Sequence, residues 1–380
     1  MRSDPLSIAR VLRVPHAGRS SSLTRVKSSW LALLTLTCAS AAQLGAAAFS
    51  GAQGYGANAA GGTTVVHVKN LNDSGAGSLR DALSATGRRV VFDVAGTIKI
   101  KSTLVVPTNT TIDGTTAPTG GITVQGYNTS ASGRHDIVIR NIRFREDTTG
   151  PSGKCAFQAT DAAHHIILDH CSVEWGRWDA MEFTGGCHDI TVQYCIIGEA
   201  IDPQHFGLLV DACDRVSIHH NLFIDNHSRN PKLKCNGQYI NNVVYNWGTS
   251  GLVGGHSSAV WKSDVINNYF IAGPSSTTGN WINDCTATDT WFQSGNVRDL
   301  NKDGSRNGTV APASDYTAKH VTLVSAAQHN PSPAVTVDPA VHSVDLALAG
   351  SLGCQPNDSV DTRLIGYLRS YGKHGQIGKP

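Results

Sequence analysis

His164-His165-Ile166-Ile167-Leu168-Asp169-His170-Cys171 is a phrase that this 380-residue chain repeats. It returns as His188-Asp189-Ile190-Thr191-Val192-Gln193-Tyr194-Cys195 and as Asp214-Arg215-Val216-Ser217-Ile218-His219-His220-Asn221. Shorter copies follow at Tyr239-Ile240-Asn241-Asn242 and Val265-Ile266-Asn267-Asn268, so the last residues of successive copies are 24, 26, 21 and 26 apart. Alternating branched apolar residues (Ile166 and Leu168, Ile190 and Val192, Val216 and Ile218) predict short strands. Strands recurring at this period predict a solenoid whose coils bury their faces against each other. Equivalent side chains then stack along its axis, and Asn221, Asn242 and Asn268 form an expected ladder that satisfies backbone groups at each bend. The predicted fold is all-β, a parallel β-helix.

The chain contains 39 Gly but only 2 Met, with 16% charged and 40% apolar residues, which suits a turn-rich extracellular protein with a large core. The first thirty residues carry six Arg or Lys and one acid, ahead of the apolar run Trp30 to Leu36 and small residues to Ala48. This predicts a secretory signal peptide and leader over 1–48, too short for a membrane span. Removing that +5 from the net +2 leaves −3, which excludes a general nucleic-acid binder. Eight of nine cysteines would remain. Cys171 and Cys195 share a column, as do Cys187 and Cys213. Coils about 4.8 Å apart are compatible with disulfides or with stacked thiols.

Ser78-Leu79-Arg80-Asp81 reads as a helix N-terminus capping the first coil. Strands are expected over 90–100 and 112–125, and the repeat begins at Ile137. After Phe270 loops are expected along one side, and Asp358 should cap a last helix over 362–371. The β-helix with its side loops is assigned 49–345 and the C-terminal segment 346–380.

Three clusters are expected on equivalent loops and therefore on one face: Asp179 with Glu182; Glu199, Asp202 and His205; and Asn226 to Lys234, which includes His227, Arg229 and Lys232. Acids beside a basic tract suit an acidic sugar held by cations. Trp175 and Trp178 suit stacking on sugar rings. Asp169-His170 reads as a buried hydrogen-bonded pair, and His219-His220 as packing within the ladder or at the surface rather than a zinc site.

At these residues the sequence resembles the pectate and pectin lyases of polysaccharide lyase family 1. The resemblance rests on Ile167-Leu168-Asp169-His170, like the family's Trp-x-Asp-His strand, and on Arg229-Asn230-Pro231-Lys232-Leu233-Lys234, like its Arg-x-Pro-x-x-Arg tract. It spans roughly 49–279 and implies a right-handed parallel β-helix, secreted and monomeric, that cleaves a galacturonan-like polymer by β-elimination. Arg229 is the implied base and Lys234, with Lys232, His205, His227, Arg177 and Trp178, the implied substrate contacts. Calcium is the implied cofactor, with Asp179 and Glu182 as its ligands. The family's upstream acids fall near Lys154-Cys155-Ala156, where none stands, so binding should be weak and substrate-assisted, or replaced by Lys154 or Arg177. The same residues also suit a non-catalytic polysaccharide binder, and less well a β-helix glycoside hydrolase, whose carboxylate motifs are absent.

Overall fold

The computed structural model describes residues 46–378, and the expected leader lies almost wholly outside them. The repeated phrases stack as expected. Ile137, Ile166, Ile190 and Val216 occupy one inward column, and Ile139, Leu168, Val192 and Ile218 the next. Parallel pairing continues through a 17-stranded and a 10-stranded sheet, the latter closed by an antiparallel strand, Thr309–Val310, giving a right-handed β-solenoid of about nine turns. Each coil contributes two strand segments to the larger sheet and one to the smaller. Inward side chains of both fill a continuous core containing Phe144, Phe157, Phe183, Phe223 and Phe270.

The bend from the larger to the smaller sheet carries the ladder. Asn221, Asn242 and Asn268 are fully buried, and each side-chain oxygen accepts from the previous coil's backbone. Asn296 adds a fourth rung. Alongside runs an aromatic stack, His170 on Tyr194 at 5.1 Å and Tyr194 on His220 at 5.0 Å. His219 and His220 are both buried, which assigns them to ladder packing. His170 Nδ1 lies 3.0 Å from Asp169 Oδ1, and Arg140 Nε donates to the same carboxylate. The cysteines at 171, 195, 187 and 213 are buried free thiols.

The coil does not dissolve after Phe270. Ile282–Asn283, Asp289–Ser294 and Val297–Asp299 continue all three strand lines. These strands have few aliphatic residues, so their alternation is faint in sequence; in Asp289–Ser294 the buried apolar side chain is Trp291, which packs against Tyr316.

Helix α1 (Leu79–Ala82) covers the first coil, with Ser78 Oγ accepting from Asp81 N. The glycine-rich stretch 49–56 lies across the larger sheet, where a Cβ on Gly56 would meet Ile166 O at 2.2 Å. Helix α2 (Ala313–Thr317) brings Tyr316 to the far end. Helix α3 (Ala340–Leu348) crosses the boundary expected at 345/346. Helix α4 (Ser359–Arg369) starts three residues earlier than expected, because Asp358 accepts from both Val360 N and Asp361 N. Val344, Leu364 and Leu368 pack against Ile196, Leu222 and Tyr245 on the smaller sheet. Buried ion pairs pin the contact: Arg145 to Glu174 and Asp358, and Arg143 to Asp361.

Candidate active site

Loops leaving the smaller sheet emerge beside the first strand segment of the next coil, and there the functional side chains gather. Asp179 sits in one rung, Phe206 directly above it, and Ser228 above that. The loop over 225–231 is held from within. Asn226 Nδ2 donates to Asn230 Oδ1 at 3.0 Å and to Ile197 O at 3.0 Å, while Tyr239 OH donates to Asn230 O. Arg229, at φ +59°, is thereby turned back over the strands. Its Nη1 donates to both Asp179 oxygens at 3.1 and 2.9 Å, and its Cζ lies 4.1 Å from the Phe206 ring centroid.

The recess beside it has a volume of about 510 Å³. His205, His227, Arg229 and Lys232 line it together, with His256 and Asp284 opposite. Four residues from the expected set therefore converge. Lys232 follows Leu209 and Glu182 down one column, two coils or about 10 Å from Glu182. Its Nζ lies 3.2 Å from His256 Nε2. Lys234 points along the same strand face, but its ammonium is held by Asp211 at 2.8 Å. Burial, then the charges of Arg229 and Lys234, lower the Lys232 pKa. Burial and the neighbouring His205 likewise lower that of His227. Asp179 is pushed up to about 7 by burial, against the opposing pull of Arg229.

Other expected contacts lie elsewhere. Arg177 Nη1 donates to Gly150 O, and its backbone N to Glu146. Arg177 is thus turned towards the 147–153 loop, while Trp178, 37% exposed, stands outside the recess. Glu199 is not a groove acid: it is fully buried and receives both Arg363 amines at 2.6 and 2.7 Å. Trp175 donates to that same carboxylate and belongs to the helix clamp rather than to a sugar platform. Asp202 pairs with His205 at 3.0 Å. No motif marks His256, which lies in a Gly-Gly-His-Ser-Ser loop outside the repeat.

Asp179 and Glu182 do converge, and their third neighbour is Cys155, whose Sγ lies 3.3 Å from Glu182 Oε2. This set does not fit a resident calcium ion, which collects six to eight oxygens. One donor is sulfur. Its pKa is raised well above normal by burial and by the two acids. Both oxygens of Asp179 already face Arg229. The cation on Asp179 is Arg229, while Lys154 is exposed on the surface.

No family model matches the chain. It is 40% identical to the probable pectate lyase C of Aspergillus fumigatus over 348 residues, covering 91% of this chain and 82% of that protein. The probable pectate lyase C of Emericella nidulans is 40% identical over 351 residues, with 91% and 81% covered. Among solved structures, the cedar pollen allergen jun a 1 aligns with a TM-score of 0.58 at 16% identity, over 80% of this chain and 92% of the allergen. Pectate lyase Bsp165PelA from Bacillus sp. N165, in complex with trigalacturonate, aligns at 0.53 and 17% identity, over 86% and 98%. The structural likenesses establish the same β-helix. With the identity and coverage of the fungal relatives, the chain belongs to the pectate lyases, and is a polysaccharide lyase.

Proposed function

We propose that the recess binds a galacturonan-like chain and cleaves it by β-elimination, with Arg229 taking the proton from C5 of a uronate. The observation that carries this is the convergence of Arg229 and Lys232 with His205 and His227 in one groove recess, built by the tract that resembles the family's own. The C5 proton is acidified by the adjacent carboxylate. Its removal leaves an enolate-like charge that fixed cations stabilise. Lys232 is the recess cation left free to act on the sugar, since Asp211 already neutralises Lys234. Arg229 begins as the partner of Asp179, and the arriving substrate has to draw it off. No step is assigned to calcium; where the ion acts, it arrives with the substrate's own carboxylates. We further propose that the protein is exported by its basic leader and works outside the cell as a monomer. No helix among the described residues is long and apolar enough to cross a membrane.

The test is ultraviolet absorption of the C4=C5 product on pectate and on methylated pectin. Wild type should absorb, whereas a hydrolase would yield reducing ends alone and a binder neither. Arg229→Ala should abolish the signal in a protein that still folds, with a lowered unfolding midpoint because the buried Asp179 loses its partner. Retention of a tenth or more of turnover would remove Arg229 from the role of base.

A further inference from the structure

A β-elimination needs two proton transfers. The base removes the C5 proton, and the departing C4 oxygen must gain one. Arg229 answers only the first requirement. Three cations stand at the groove, and their pairing separates them. Arg229 is neutralised by Asp179 and Lys234 by Asp211. Lys232 makes no ion pair to a carboxylate among the described residues; its polar neighbour is the ring of His256 at 3.2 Å. Lys232 lines the same recess as Arg229, so a sugar unit held there lies within reach of both. His256 is exposed and links the ammonium to solvent.

We propose that Lys232 is the general acid of this elimination, donating an Nζ proton to the departing C4 oxygen, with His256 as its proton relay to solvent. The assignment rests on the lyase reading above and adds to it the group that completes the reaction. The balance is simple. The C5–H electron pair becomes the C4=C5 bond and the C5 proton goes to Arg229 in its neutral form, the guanidinium having first given a proton to solvent as the substrate draws it off Asp179. The C4–O bond breaks towards oxygen, and that oxygen takes a proton from Lys232, forming the hydroxyl of the leaving fragment. Lys232 recovers a proton from water through His256, Arg229 returns one, and nothing is oxidised or reduced. The chemistry favours Lys232 over its neighbours. An efficient acid must be charged and yet part readily with its proton. A partly buried ammonium beside two further cations has both properties, and its pKa is lowered for those reasons. A guanidinium has the opposite character.

The experiment compares Lys232→Arg and Lys232→Met with wild type on pectate in D2O. It measures kcat and KM by absorption and C5 deuterium in unreacted substrate by mass spectrometry. Loss of the acid should lower kcat by about 100-fold or more in both variants. KM should change little, and deprotonated sugar that cannot expel its C4 oxygen should return to the pool carrying deuterium. Arginine keeps the charge but is a poor proton donor, so it separates acid from electrostatics. Full kcat in Lys232→Arg, a rise in KM alone, or a loss of kcat without deuterium in the recovered substrate would each overturn the proposal. A wild type that forms no unsaturated product would instead overturn the lyase reading itself, and deuterium uptake surviving in Arg229→Ala would overturn the base.

Discussion

Replacing Asn242 by alanine tests the ladder where its wiring is fullest. The Asn242 oxygen accepts from Asn221 N at 3.1 Å and from Asn221 Nδ2 at 2.9 Å. Its nitrogen donates to Ile218 O, Ile240 O and Asn268 Oδ1 at 2.9 to 3.1 Å. After truncation, Asn221 Nδ2 keeps Val192 O, and Asn268 Oδ1 keeps the backbone N–H of residue 242. The backbone N–H of Asn221 keeps nothing and is sealed from water. A buried donor left in that state costs about 1–3 kcal/mol, and the weakened carbonyl contacts add to it. The expected loss is therefore about 3 kcal/mol, large against the roughly 5–15 kcal/mol that holds a typical domain folded. Urea unfolding followed by tryptophan fluorescence would read it as a lowered midpoint. The ladder bend and the groove recess occupy different corners of the coil, so kcat per folded molecule should stay at the wild-type value. An unchanged midpoint would refute the ladder as a source of stability. A normal midpoint with lost activity would refute the separation of the two corners.

Two further outcomes follow from buried groups. Calorimetric titration of the substrate-free protein should show no micromolar calcium binding, and Cys155→Asp, by adding a third carboxylate, should create measurable affinity; tight binding by wild type would show the site misread. His219 is pushed down to about 3 by burial and then by the adjacent His220, and Asp338, one residue further out, contacts His220 rather than His219. Its folded pKa lies below its unfolded one, so its contribution is intact above about pH 6.5 and is lost as the pH falls towards 3, at about 1.4 kcal/mol per pH unit. His219→Gln should lose less stability between pH 6.5 and 4 than wild type does; equal losses would place the acid sensitivity elsewhere.

The coil was legible because its signals are local. Alternation of Ile166 with Leu168 or Val216 with Ile218 declares a strand within five residues, and three asparagines at matching places declare a column without any distance being known. Where the inward volume is concentrated in one residue, as at Trp291, the same architecture leaves hardly any alternation, and the rungs beyond Phe270 are invisible for that reason. Capping is similarly local: Asp358 was readable as a cap, although the helix it opens begins immediately after it.

The site was legible in composition but not in pairing. Which residues share a face follows from the repeat; which of them touch depends on how each loop folds back. Glu199 occupies a groove loop by position, yet its carboxylate turns to Arg363, 164 residues away, because the docked helix brings a guanidinium to a buried acid. Arg229 and Asp179 lie 50 residues apart and meet only because the asparagine-clamped loop turns Arg229 back across one coil. Such pairings decide function here more than residue types do. Lys232 and Lys234 are two positions apart on one strand and indistinguishable as symbols. One is held in an ion pair by Asp211 and the other has an imidazole as its hydrogen-bond neighbour, so the same ammonium chemistry yields a satisfied structural cation in one place and a reactive one in the other.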